Sequence, residues 1–92
     1  MVLEDSELQA ALAGGAWRRE GATIVREVKC ENFIAAIALV DEVAQLAERA
    51  GHHPDILVHS WNQLRLTLST HSEGGVTAAD IALSRQLDAL LP

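Results

Sequence analysis

A single cysteine, seven basic side chains and no apolar run of membrane-spanning length set the first limits on this 92-residue chain. Cys30 has no partner for an internal disulfide, which points to a reducing compartment and to a small apolar side chain near a strand end. The seven Lys and Arg stand against thirteen Asp and Glu, and only Arg18 and Arg19 are adjacent. Direct nucleic-acid binding needs clustered cations to neutralise phosphates, so this balance argues against it. A membrane span needs roughly twenty apolar residues, and none is present. The start, Met1-Val2-Leu3-Glu4-Asp5, is acidic where a secretory leader is basic, so the expected location is the cytoplasm. No repeat, linker or low-complexity segment interrupts the chain, and residues 1–92 read as one domain. A domain this small buries only about 60% of its unfolded surface, so association between copies is expected.

Periodicity gives the elements. Glu4 to Ala13 carries Leu8, Ala11 and Leu12 at helical spacing, and Gly14-Gly15 ends it. Trp17 to Glu20 and Ala22 to Lys29 flank Gly21 and read as an antiparallel hairpin. Asn32 is an N-cap for a long helix to Ala50, with Phe33, Ile37, Val40, Val43, Leu46, Ala47 and Ala50 as its inward face and Gly51 as a left-handed C-cap. A second hairpin follows, with Ile56 and Val58 in its first strand, a turn at Ser60 to Asn62, and Leu64, Leu66 and Leu68 in its second. Thr77 caps a final helix with Asp80 at its third position. The expected fold is α+β: a four-stranded antiparallel sheet with helices packed on one face, in the order α-β-β-α-β-β-α.

Three of the four histidines fall into one constellation. Glu48 is followed after three residues by His52-His53-Pro54, after six more by Trp61, after nine by His71 and after eight by Asp80. Histidine exchanges protons near neutral pH, with an unperturbed pKa of about 6.5, so this grouping suggests acid/base chemistry or metal ligation. Pro54 biases His53 to an extended conformation and so fixes the direction in which its imidazole leaves the chain. Glu48, on the last helical turn, opposes the helix dipole and is better explained by orienting His52 or His53. Asp80 has two readings, a capping contact with Thr77 and the orientation of a histidine. His59 lies outside the constellation and is assigned to the strand surface or a subunit contact. Neighbouring His52 and His53 lack the i, i+4 geometry of a helical zinc pair, so no metal is expected.

The seven-position pattern resembles the signature of the pterin-4a-carbinolamine dehydratases, as do Trp17, Phe33 and the run Leu66 to His71. This resemblance implies dehydration of 4a-hydroxytetrahydrobiopterin to the quinonoid dihydropterin, without cofactor, recycling the pterin of aromatic amino-acid hydroxylases. It implies His52, His53, His71 and Asp80 as catalytic residues. Glu48, Gly51, Pro54, Trp61, Ser69, Thr70 and Ser72 are expected to line the pterin, with backbone groups of Ser69 to Ser72 holding its amide edge. A homodimer or homotetramer is implied too. The alternatives are a non-catalytic pterin-binding or oligomerisation protein, such as the animal homologues that partner a homeodomain factor, and a dehydratase-like role on another pterin, for instance one related to the molybdenum cofactor.

Overall fold

A computed structural model describes all residues, 1–92. The elements are α1 (Asp5–Leu12), β1 (Arg18–Glu20), β2 (Thr23–Lys29), α2 (Phe33–Ala50), β3 (Asp55–His59), β4 (Gln63–Leu68), a 3-10 turn (His71–Glu73) and α3 (Ala78–Asp88). This is the expected order, with the short 3-10 turn inserted where a plain loop is expected. The sheet is antiparallel throughout and runs β1-β2-β4-β3. β3 therefore forms one edge, paired on one side only.

Alternation of side chains across a strand separates the two faces. Ile24 and Val28 of β2 and Leu64, Leu66 and Leu68 of β4 point to the helices, and with Leu39, Val43, Ile81 and Leu87 they form the main core. The opposite face carries an ion network in which Arg18 meets Glu27 at 2.9 Å and Arg65 meets Glu20. Asp88 takes the Trp17 indole N–H at 2.8 Å and the Arg26 guanidinium at 2.5 Å. The end of α3 is thereby tied to the sheet.

The long helix turns a different face inward from the one its spacing suggests. Ala36, Leu39, Val43 and Ala47 are buried, Val40 and Leu46 are half-buried, and Phe33, Ile37 and Ala50 are exposed. Its first half, Phe33 to Val40, is apolar on every side, so periodicity alone could not choose between faces. Two of the four residues the helix buries, Ala36 and Ala47, are small. Phe33, Ile34 and Ile37 remain as an apolar strip facing solvent.

Candidate functional site

The histidine pair inherits its position from the end of α2. Gly51 adopts φ +65°, its N–H bonds to the Glu48 carbonyl, and the His52 N–H bonds back to Ala47 at 3.2 Å. This is a Schellman closure, and it makes the His52 backbone part of the helix cap. Pro54 then starts the extended run into β3.

Asp80 is fully buried in the first turn of α3, and both carboxylate oxygens are occupied. Oδ2 accepts the Thr77 backbone N–H at 2.8 Å and the Thr70 hydroxyl at 2.8 Å, while Oδ1 faces His52 Nε2 at 2.5 Å. One carboxylate thus closes the capping box and orients the imidazole, so the two readings of Asp80 hold together in the geometry. An ionised carboxylate only accepts, and so the proton on this bond belongs to His52 Nε2, which leaves Nδ1 as the free ring nitrogen of the neutral imidazole. The tautomer follows from the network.

A second pair lies beside the first. His53 Nε2 is 2.7 Å from Glu48 Oε1, and both side chains are largely exposed. The same logic assigns Nε2–H to His53 and leaves its Nδ1 free. His71 stands in the 3-10 turn, exposed, with its carbonyl accepting the Gly74 N–H and its imidazole free of hydrogen bonds. It follows Thr70, whose hydroxyl links the Thr77 hydroxyl and Asp80 at 2.8 Å each. Pairing of Asp55 with Thr67 places the starts of β3 and the end of β4 together, so His52, His53, Thr70 and His71 gather at one end of that hairpin.

The other expected residues divide. Ser69 and Ser72 flank Thr70 and His71 in sequence. Thr70 contributes through its hydroxyl, because its backbone N–H is taken by Gly75 and its carbonyl by Glu73 and Gly74. Trp61 sits elsewhere: it lies in the turn at the opposite end of the hairpin, beyond His59 and Gln63. Thr77, read from sequence only as a cap, joins the site through Asp80 and Thr70, and its Thr-x-x-Asp spacing was the signal for that. No group of three or more His, Cys, Asp or Glu side chains is arranged to hold a metal ion.

The cluster is an open surface. The largest groove, about 480 Å³, lies between α1 and β1 among Leu8, Leu12, Arg18 and Arg19, away from the histidines. None of the grooves of this chain is lined by His52, His53 or His71. No helix is long and apolar enough to cross a membrane.

Comparison with known proteins agrees with the constellation. The sequence profile described as pterin 4 alpha carbinolamine dehydratase matches residues 1–90. A Nocardia farcinica protein bearing the provisional name pterin-4-alpha-carbinolamine dehydratase is 53% identical over 90 residues, covering 97% of this chain and 94% of its own. A similarly named Chloroflexus aurantiacus protein is 46% identical over 97% of this chain and 96% of its own. Among solved structures, the transcriptional coactivator/pterin dehydratase from Brucella melitensis superposes with a TM-score of 0.91 at 33% identity over the whole of both chains. A pterin dehydratase-like protein identified as a RuBisCO assembly factor superposes with a TM-score of 0.69 at 24% identity, over 84% of this chain and 90% of its own, a likeness of fold alone. With the matched profile spanning nearly the whole chain and close relatives covered end to end, this protein belongs to the pterin 4 alpha carbinolamine dehydratase family.

Proposed function

We propose that this protein is a hydro-lyase that dehydrates 4a-hydroxytetrahydropterins, with 4a-hydroxytetrahydrobiopterin as the reference substrate. The observation that carries the reading is the His52–Asp80 pair, an imidazole held at 2.5 Å by a fully buried carboxylate, next to the His53–Glu48 pair. In the reaction a ring N–H gives up its proton, a C=N bond forms at the carbinolamine carbon, the C–O bond breaks, and the departing hydroxyl takes a proton to leave as water. His52 suits the base: Asp80 behind Nε2 stabilises the imidazolium formed when Nδ1 accepts a proton. The proton for the hydroxyl can come from His71 or from a His53 that carries a second proton on Nδ1, an imidazolium that Glu48 behind Nε2 stabilises. Acid and base catalysis of this kind contributes about a hundred- to ten-thousandfold. The elimination is redox-neutral, and no cofactor enters its balance.

The test is the rate of quinonoid dihydropterin formation from enzymatically generated carbinolamine, measured with and without a metal chelator. Acceleration over the spontaneous reaction, undiminished by chelator, is expected. Folded protein that leaves the spontaneous rate unchanged would refute the proposal.

A further inference from the structure

The His71 ring makes no hydrogen bond, so its placement depends on the backbone of the turn that carries it. That turn is closed on itself. The Thr70 carbonyl accepts the N–H groups of Glu73 and Gly74 at 3.0 Å each, and the Thr70 N–H bonds to the Gly75 carbonyl at 2.9 Å. Gly74, at φ +74°, turns the chain back toward Thr70. The two ends of the loop are thus bonded to each other, and what holds Gly75 also restrains His71.

Gly75 and Val76 are held on their other side by a segment outside the site. The Leu3 N–H donates to the Val76 carbonyl at 2.9 Å, and the Leu3 side chain packs against the core. Val2 then lies over Gly75. A Cβ at position 75 would stand 3.0 and 3.2 Å from the two Val2 methyls and 3.7 Å from the Val2 Cβ, where carbon atoms in contact keep about 3.5–4.0 Å. Gly75 is buried and its φ is not positive, so its backbone does not call for glycine; the space taken by Val2 does. Val2 itself is 42% exposed and adds little to the core, so its contact is chiefly with the turn.

We propose that the Val2–Leu3 segment is a brace that sets the position of the His71 imidazole, with Val2 and Gly75 as positioning residues where brace and turn meet. Two bonds in series, Leu3 to Val76 and Gly75 to Thr70, carry the restraint from the segment ahead of α1 to the turn of His71. The effect on turnover rests on the proposed reaction, in which His71 is one source of the proton; the brace itself does not.

A steric cycle at the contact tests this. Gly75→Ala, Val2→Ala and the two together are compared for kcat, KM and the ¹H and ¹³C shifts of the His71 ring. In Gly75→Ala the new methyl forces brace and turn apart. A displacement of about 1 Å can cost a hundredfold, so the smaller one here should lower kcat about three- to tenfold with KM unchanged. Val2→Ala leaves a gap and a looser turn, with a smaller loss. In the double variant the two alanines meet at the Cβ separation of 3.7 Å, an ordinary contact, and both kcat and the His71 shifts should return close to wild type. Wild-type kcat and shifts in Gly75→Ala, or losses in the two single variants that simply multiply, would overturn the proposal. In a His71→Ala background Gly75→Ala should cost nothing further; an undiminished loss there would place the strain elsewhere and overturn the positioning role. Should Gly75→Ala not fold, the double variant is compared with Val2→Ala and is expected to be the faster, and the reverse order overturns the brace. Wild-type protein inactive on the carbinolamine would overturn the proposed function, while the ring shifts still decide the brace: displacement in Gly75→Ala with return in the double variant supports it, and unchanged shifts overturn it.

Discussion

Replacing Asp80 with asparagine separates the two tasks of one carboxylate. The amide keeps the volume and a single carbonyl oxygen, which is best used at the Oδ2 position, where two donors, the Thr77 N–H and the Thr70 hydroxyl, converge at 2.8 Å. The side-chain NH₂ then faces His52, whose Nε2 must become an acceptor, so the ring proton moves to Nδ1. The helix cap survives with neutral in place of charge-assisted bonds, a difference of about 1–2 kcal/mol. For a domain of this length that corresponds to a fall in Tm of about 5–15 °C. Turnover should fall much further, by about a hundred- to ten-thousandfold, because the base nitrogen is now protonated and no anion stabilises an imidazolium. Thermal unfolding, the dehydration assay and ¹⁵N chemical shifts of the His52 ring read these three effects separately. Full turnover in a folded Asp80→Asn protein whose ring has switched tautomer would refute the assignment of His52 Nδ1 as the base.

Three further outcomes are expected. Glu48→Gln should leave stability within about 0.5 kcal/mol, since the Glu48–His53 pair is exposed and such pairs contribute little, while turnover falls severalfold through loss of His53 orientation; calorimetry and the assay distinguish the two. Gly51→Ala meets no atom within 4 Å, so its destabilisation, about 1–2 kcal/mol, should come from the positive φ alone, and a denaturant titration gives the value. His52→Ala combined with His71→Ala should cost less than the product of the single effects if both act in one proton-transfer step, because groups working as a unit are non-additive; strict multiplicativity in a four-variant kinetic cycle would argue for separate steps.

The elements were readable from sequence because local signals agreed with one another. The Asn32 and Thr77 caps, the left-handed Gly51 and the alternation of Leu64, Leu66 and Leu68 each name a boundary or a face, and all four appear in the structure as expected. The face of α2 was not readable, since a helix apolar all round in its first half carries no moment to orient it. Within the site, the link from Glu48 to His53 follows from a helix end and a short extended segment, and was partly legible. The link from Asp80 to His52 spans 28 residues and depends on how α3 seats against the end of α2, which no local pattern encodes. Trp61 lies in the turn that the sequence itself places at Ser60 to Asn62, at the end of the hairpin away from His52 and His53.

Because Thr77 N–H and His52 Nε2 share a single carboxylate, opening of the first turn of α3 would also release the residue proposed as the base. Local fraying at that turn frees the imidazole, and a ligand that draws positive charge onto His52 tightens the turn in return. The Thr77 amide is therefore a built-in gauge. Its hydrogen-exchange rate, followed during ligand titration, is expected to report occupancy of a site that it never touches.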